Sequence, residues 1–311
     1  MRYSHILIAS AAVAAALASP ASAHRQWLLP STTTLAGTSE YVTVDAAVSN
    51  DLFYPDHFPM SPEQVTVWAP DGSEGKIENP ATGRYRATFD VKIDKPGTWK
   101  IGTQRSAIMG SFKVNGEDWR LGGRGRPMGA GGPGAGGPGA GGPGAGGPGA
   151  GGPGGAPGAG GAPVRSVATV ADIPANATDV KLTESISGNY IYVTADAPTK
   201  TVFTPTGKGL EIDPITHPDE LVSNEEGQFR FLIDGKPAAG VKVTVVPGSK
   251  KYREAEQAQE LTTGADGVLH VKWPVAGMYW INASASDNKP SEKRATERRM
   301  SYTATVEVVA P

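Results

Sequence analysis

Cysteine is absent from this chain of 311 residues. Its absence excludes disulfide bonds, thiolate metal ligands and cysteine nucleophiles, so ordinary hydrophobic cores have to hold the fold together. An excess of charge of one sign is also lacking, because 29 basic side chains nearly balance 31 acidic ones and leave a net charge of −2. This balance gives no electrostatic reason to expect binding to nucleic acid or to an anionic membrane surface.

Common catalytic signatures are missing as well. The sequence has no GxSxG, no HExxH, no Walker loop, and no GxGxxG that follows a strand and opens a helix. We therefore expect a protein that is not an enzyme. An enzyme, such as a copper oxygenase or a carbohydrate-active hydrolase, remains as a third reading for which no acid/base pair can be named from the sequence.

Long apolar runs are scarce, and the one that stands out lies at the N-terminus. Arg2 precedes an apolar run from Ile6 to Leu17, and small residues end at Ala23. A charged start, a short apolar run and an A-x-A-like site predict a cleavable signal peptide over residues 1–23. The alternative is a membrane anchor, but the run is shorter than the ~20 apolar residues that span a bilayer. We expect a periplasmic or secreted protein with no transmembrane segment after cleavage, beginning at His24.

Glycine and proline are abundant, with 41 and 26 residues, and they are concentrated in residues 122–165. The unit AGGPG occurs five times in register between residues 130 and 154. Such a segment has almost no side chains to bury, and its five-residue period does not fit collagen, which needs glycine at every third position. The pattern predicts a disordered linker between two domains, residues 24–121 and 166–311.

Both predicted domains alternate polar and apolar residues with a period of two, and turn signals separate the alternating stretches. No convincing helical period occurs; residues 251–261 are left as a short helix or a loop. The pattern predicts an all-β fold of two immunoglobulin-like or transthyretin-like β-sandwiches. The predicted strands cover residues 41–48, 64–68, 84–93, 98–101, 110–114, 180–182, 190–194, 229–233, 240–246, 268–273, 278–283 and 302–309.

Histidine is the informative residue type, because only four histidines would remain after cleavage. Cleavage before His24 would free an α-amine beside the imidazole Nδ1, and these two nitrogens can chelate one metal ion. A further imidazole would complete a three-nitrogen site that suits Cu(II) or Ni(II). Trp27, three residues on, could anchor the new N-terminus. The alternative is that His24 is merely the residue left by the signal peptidase.

His57 is the best candidate for the further imidazole. It lies in a loop, residues 50–60, that is rich in aromatic residues and prolines. Asp51 and Asp56 offer carboxylates nearby, and Met60 offers a thioether. The alternative is that His57 only packs among the aromatic side chains of its own loop.

The other two histidines point more weakly to metal. His217 lies between two prolines in a rigid turn, where it is either a structural residue or a second-site metal ligand with Asp219 or Glu220. His270 lies within a predicted strand, where a surface or cross-strand role is expected. The metal residues predicted from the sequence are therefore His24, His57 and His217.

A resemblance to a known family rests on motifs spread along the mature chain. The start, HRQWLLPS at residues 24–31, resembles a bacterial periplasmic family of unknown function related to the periplasmic component of nickel and cobalt transport. Residues 210–214, 231–237 and 240–243, and the turn 266–267 ahead of a Gly-x-Tyr-x-Ile strand, are similar to its second half. Of the metal residues, only His24 carries over from the family.

The resemblance implies a periplasmic accessory protein for the uptake or handling of nickel, cobalt or copper. Its partners would be the metal ion and a membrane transporter or an outer-membrane receptor. The competing interpretation is a non-enzymatic interaction or scaffold module of the cell envelope, in which two tethered sandwiches bind partners through exposed sheet edges.

Overall fold

The computed structural model describes residues 24–122 and 165–311. The predicted signal peptide and nearly all of the predicted linker lie outside the described residues. Within the described ranges the chain forms strands and five 3₁₀ helices, and none of its helices has the length and apolar character needed to cross a membrane. The predicted all-β fold of two immunoglobulin-like sandwiches is confirmed.

The strands are Arg25–Pro30 (β1), Thr34–Leu35 (β2), Glu40–Ser49 (β3), Phe58–Pro59 (β4), Thr66–Trp68 (β5), Ile77–Thr82 (β6), Arg86–Ile93 (β7), Gly97–Val114 (β8), Glu117–Leu121 (β9), Arg165–Val167 (β10), Thr178–Ala195 (β11), Leu210–Pro214 (β12), Glu226–Ile233 (β13), Lys236–Pro237 (β14), Lys242–Pro247 (β15), Gln259–Thr262 (β16), Val268–Lys272 (β17), Gly277–Asp287 (β18) and Glu297–Val308 (β19). The 3₁₀ helices are Pro62–Gln64, Val170–Asp172, Thr201–Phe203, Pro218–Glu220 and Lys250–Tyr252.

The first sandwich packs a five-stranded sheet against part of a larger one. The smaller sheet has the order β1-β3-β7-β6, with β4 paired to β3. Its buried residues, such as Val44 and Phe89, share a core with Trp99 and Ile101 of β8. Alternate residues of β3 and β7 face this core because side chains of a strand point to opposite faces in turn.

The larger sheet runs β10-β9-β8-β11-β19-β18-β15-β16 and joins the two halves of the chain. Its central pair is β8 with β11, antiparallel from Gly97 opposite Ala195 to Lys113 opposite Thr178. Ile191 of β11 belongs to the core of the first sandwich, whereas Tyr190 belongs to the core of the second. One strand of the second half therefore completes both cores.

The second sandwich packs the β11-β19-β18-β15 part of that sheet against a four-stranded sheet of β12, β13, β14 and β17. Its core is aromatic at the centre, where Phe231 and Tyr302 meet edge to face and Trp273 packs on Tyr279. A smaller apolar cluster around Phe112 covers the far ends of β8 and β11. The hydrophobic cores expected from a chain without cysteine are thus present.

Several strand boundaries differ from the sequence prediction. The separate strands predicted at residues 98–101 and 110–114 are one strand, β8, and those at 180–182 and 190–194 are one strand, β11. Residues 77–82, which lie outside the strands predicted from the sequence, form β6, which is an edge strand. Pro80 is tolerated there because an edge strand need not donate every backbone N–H, and a register irregularity follows Glu78. Residues 251–261 contain no α-helix.

Candidate metal centre

The C-terminal end of β3 brings the two halves of the candidate site together. β1 and β4 flank this end, with Arg25 opposite Ser49 and Phe58 opposite Val48. His24 directly precedes β1 and His57 directly precedes β4. Both histidines therefore lie at the same end of the first sheet, although 33 positions separate them in the sequence.

The imidazole rings of His24 and His57 lie face to face. Their centroids are 3.6 Å apart and their planes differ by 9°. Phe58 packs beside them, with its ring centroid 4.8 Å from that of His57 and 6.5 Å from that of His24. Both histidines are exposed to solvent. The structure thus brings together the two histidines that the sequence singled out, and an aromatic neighbour packs against them as well.

Other donors near the pair already have partners. The Asp51 carboxylate accepts a hydrogen bond from Lys250 Nζ at 2.7 Å, and the Asp56 carboxylate accepts bonds from the backbone and side chain of Asn50. Met60 is buried, and its sulfur lies 3.9 Å from Asn189 Nδ2. No group of three or more His, Cys, Asp or Glu side chains able to hold a metal occurs in residues 24–122 and 165–311.

The donor set therefore fits a metal only if the third nitrogen comes from the main chain. An imidazole binds metal through a lone pair that lies in its ring plane. Because the two rings are nearly parallel, one of them has to turn about its side-chain torsions before both lone pairs can meet one ion. Solvent exposure of both rings permits that turn. The α-amine that cleavage would release at His24 is the remaining donor.

The first residues of β1 are held by contacts to both sandwiches. Trp27 is fully buried, and its indole Nε1 donates to Ser49 Oγ at 2.6 Å. Arg25 forms an ion pair of 2.7 Å with Glu256. The predicted anchoring role of Trp27 agrees with this packing. The partners in the second half, however, could not be found from the sequence, because no local pattern relates β1 to residues more than 200 positions away.

His217 lies in a different environment from the exposed pair. It is 3% exposed, and its Nδ1 accepts a hydrogen bond from the Asp219 backbone N–H at 3.1 Å. Its Nε2 is 3.1 Å from Thr98 Oγ1 and 3.3 Å from the Thr199 carbonyl oxygen. When Nε2 carries the proton, it can donate to these two oxygens. Burial lowers the pKa of His217. Because both ring nitrogens of His217 are engaged in hydrogen bonds, no lone pair is left for a metal ion. Of the two alternatives, a structural residue or a metal ligand, these contacts support the structural residue.

His270 lies on the surface, as the strand position indicated. Its Nδ1 is 2.8 Å from Glu226 Oε1, and both residues belong to the paired strands β13 and β17. The contact is a cross-strand pair between exposed side chains. His270 therefore offers a matched control for experiments on His24 and His57.

Comparison with known proteins identifies a family but no characterised relative. A family described as a domain of unknown function (DUF4198) matches residues 21–287. No curated protein matches the sequence. Among solved structures, trypsin-activated alpha-2-macroglobulin from Escherichia coli aligns with 92% of this chain and 16% of its own length, at 11% identity and a TM-score of 0.23. The D0-D1 domain of intimin aligns with 91% of this chain and 97% of its own, at 11% identity and a TM-score of 0.19. Similarities this low give no information about function.

Proposed function

Because the chain belongs to a family of unknown function, DUF4198, its role has to be argued from its own residues, and we propose that it is a periplasmic metal-binding accessory protein for nickel, cobalt or copper. The observation that supports this proposal is the ring pair of His24 and His57, 3.6 Å apart and open to solvent. Two imidazoles and an α-amine form a nitrogen set that suits late first-row divalent ions.

Export is part of the proposal. The signal peptide predicted over residues 1–23 would be removed after translocation, and only then does the α-amine of His24 become free. A chain that retains its leader has an amide nitrogen at that position, which is a poor metal ligand until it loses its proton. Metal binding would therefore be confined to the protein delivered outside the cytoplasm. The resemblance noted from the sequence adds uptake, with a membrane transporter or an outer-membrane receptor as the next partner.

Calorimetry on the processed protein tests this function. We expect one Ni²⁺, Co²⁺ or Cu²⁺ per chain that begins at His24, and an affinity at least about tenfold lower when the α-amine of His24 is blocked by acetylation, because the amine is lost as a ligand. His57→Gln should have a similar effect, whereas His270→Gln should bind as the unaltered protein does. Equal affinities for the free and the acetylated forms of the processed protein would exclude the site.

A second candidate function, an interaction module of the cell envelope without metal, is favoured by one surface. Tyr54 and Tyr252 are 48% and 82% exposed, and both line a concave surface with Phe53 and Lys250. Exposed tyrosines are frequent in protein interfaces because they offer both apolar area and a polar tip. Co-purification of one envelope protein with the metal-free chain, lost on Tyr54→Ser and Tyr252→Ser, would favour this function over the first.

A further inference from the structure

Beside His24 lies a cavity of about 270 Å³ between β1 and the larger sheet. Its floor is formed by β8, β11, β19 and β18, which run side by side. Its wall includes His24, Arg25 and Trp280. The volume is below the ~300–1,000 Å³ of sites for drug-sized ligands, and therefore suits a smaller molecule.

The floor of the cavity is polar because the register of the sheet places polar residues next to one another on neighbouring strands. Thr103 pairs with Asn189, Asn189 pairs with Thr303, and Thr303 pairs with Asn282, so one row crosses four neighbouring strands. The first three of these residues are each less than a tenth exposed. Buried rows of a sheet are normally apolar, because burial of a hydroxyl or amide is costly unless it is hydrogen-bonded. Asn282 Nδ2 donates to Thr303 Oγ1 at 2.9 Å and satisfies part of this row, and the polar capacity that remains suits a polar occupant of the cavity.

Two atoms of the lining residues have unmet hydrogen-bonding capacity. Asn189 Oδ1 is a buried acceptor without a donor, and Arg25 Nη1 is a buried donor without an acceptor, among the residues that the structure describes. Arg25 is paired with Glu256 through Nη2, which leaves Nη1 toward other partners. A ligand that satisfies both residues has to carry an acceptor and a donor group.

The charge of the lining favours an anion. Arg25 and Arg105 line the cavity, and no aspartate or glutamate is among the described residues that line it. Arg105 bonds to the neutral Gln64 side chain and has no carboxylate partner within residues 24–122 and 165–311. Guanidinium groups recognise carboxylates through parallel N–H donors. A carboxylate is an anionic group that suits these arginines.

We propose that this cavity binds an α-hydroxy or α-amino carboxylate that chelates the metal ion at His24, so that the protein recognises the metal as its chelate. The inference rests on the proposed metal site and names the form in which the metal arrives. A carboxylate accepts from the arginines, and the adjacent hydroxyl or amine donates to Asn189 Oδ1. The same two groups on neighbouring carbons are a bidentate metal ligand, which supplies the donors that the His24 and His57 pair lacks.

Native mass spectrometry and calorimetry on the processed protein test the proposal. The probes are Ni²⁺ alone, preformed nickel citrate, nickel with L-histidine, and nickel with tricarballylate, which lacks the hydroxyl of citrate. We expect a complex that contains protein, nickel and either citrate or L-histidine, and at least about tenfold weaker retention of tricarballylate. Arg105→Gln should weaken binding of nickel citrate about tenfold and change binding of Ni²⁺ alone less than twofold. Arg120→Gln, an exposed arginine of β9, should change neither.

The outcomes separate this inference from the proposed function. Capture of nickel with loss of citrate and of L-histidine would overturn the chelate and leave the metal site intact. Citrate binding that is equal with and without nickel, or unaffected by Arg105→Gln, would also overturn it. Failure of Ni²⁺ alone and of both chelates to bind would overturn the metal site together with the chelate.

Discussion

The indole Nε1 of Trp280 donates a hydrogen bond of 3.1 Å to the backbone carbonyl of Gln26, a residue 254 positions away in the chain. The Arg25 guanidinium lies 5.6 Å from the centre of the same indole ring. These contacts tie the first two residues of β1 to β18 of the second sandwich. The second half of the chain thus positions the segment next to His24, at which the metal site is proposed.

Trp280→Phe should therefore weaken metal binding although no donor atom is lost. The variant removes the hydrogen bond to Gln26, which costs about 1 kcal/mol of stability, and leaves the start of β1 less well ordered. We expect a severalfold lower affinity for Ni²⁺ in calorimetry. Trp119→Phe is the matched control, because that indole has an arginine over its ring but no hydrogen-bond partner in the described residues. Equal Ni²⁺ affinities for the two variants would show that the contacts of Trp280 with β1 do not affect the metal site.

Gly102→Ala should destabilise the whole molecule, because the two halves share the β8–β11 pair. A Cβ at Gly102 would collide with the Asn189 carbonyl oxygen and with Tyr190. Overpacking of this kind costs ~1–3 kcal/mol, and here the obstacle is backbone that cannot rotate away. Urea denaturation should show a lower midpoint for one common transition. Gly37→Ala, where a Cβ meets nothing within 4 Å, should be close to neutral. Two separate transitions would contradict a shared sheet.

The β8–β11 pair shows where sequence patterns no longer predict a strand. Strands such as β3 and β7 could be predicted because one face is apolar and alternation reveals it. The middle of β8, from Thr103 to Ser106, is polar on both faces, so period two carries no signal there. That gap made one strand resemble two. One of these two polar faces forms part of the floor of the cavity. The polar residues that hid this stretch of strand from the sequence prediction therefore also line the candidate ligand site.

The candidate metal pair was predictable in chemistry but not in geometry. A histidine at a cleavage site and a histidine in a rigid loop are recognisable as donors from residue type alone. Their contact depends on β1 and β4 pairing with opposite sides of β3, which is a tertiary relationship. For His217, burial was the missing information, because two flanking prolines cannot tell a buried turn from an exposed one.

Arg298→Met should be strongly destabilising, unlike the same change at its neighbour. Arg298 is 6% exposed and forms paired bonds of 2.6 to 3.0 Å with the carboxylates of Asp234 and Asp287. Removal leaves two carboxylates close together without their cation. We expect a loss of about 2 kcal/mol in urea denaturation, below the ~3–5 kcal/mol of a fully buried pair because Asp234 is partly exposed.

Arg299→Met provides the control for this prediction. Arg299 pairs with Glu297, but both side chains are exposed. Exposed ion pairs contribute little to stability because water and salt screen them, so the midpoint should hardly change. Equal effects at the two positions would show that burial does not decide the contribution of Arg298.

The stability of the protein should fall on mild acidification because of His217. Burial lowers the pKa of this imidazole in the folded state, so the unfolded chain binds a proton more tightly. Stability from His217 is therefore complete above the ordinary pKa of ~6.5 and is lost progressively as the pH falls below it toward the folded-state pKa.

His217→Gln removes this titration and also costs ~1–3 kcal/mol at pH 8, because the hydrogen bonds of the ring to Thr98 and Asp219 are broken. The difference in unfolding free energy between the two proteins, measured in urea at pH 8, 7, 6 and 5, should narrow as the pH falls. A constant difference would mean that the pKa of His217 is the same in the folded and unfolded protein, and a widening one that folding raises this pKa, which the backbone N–H of Asp219 donating to Nδ1 argues against.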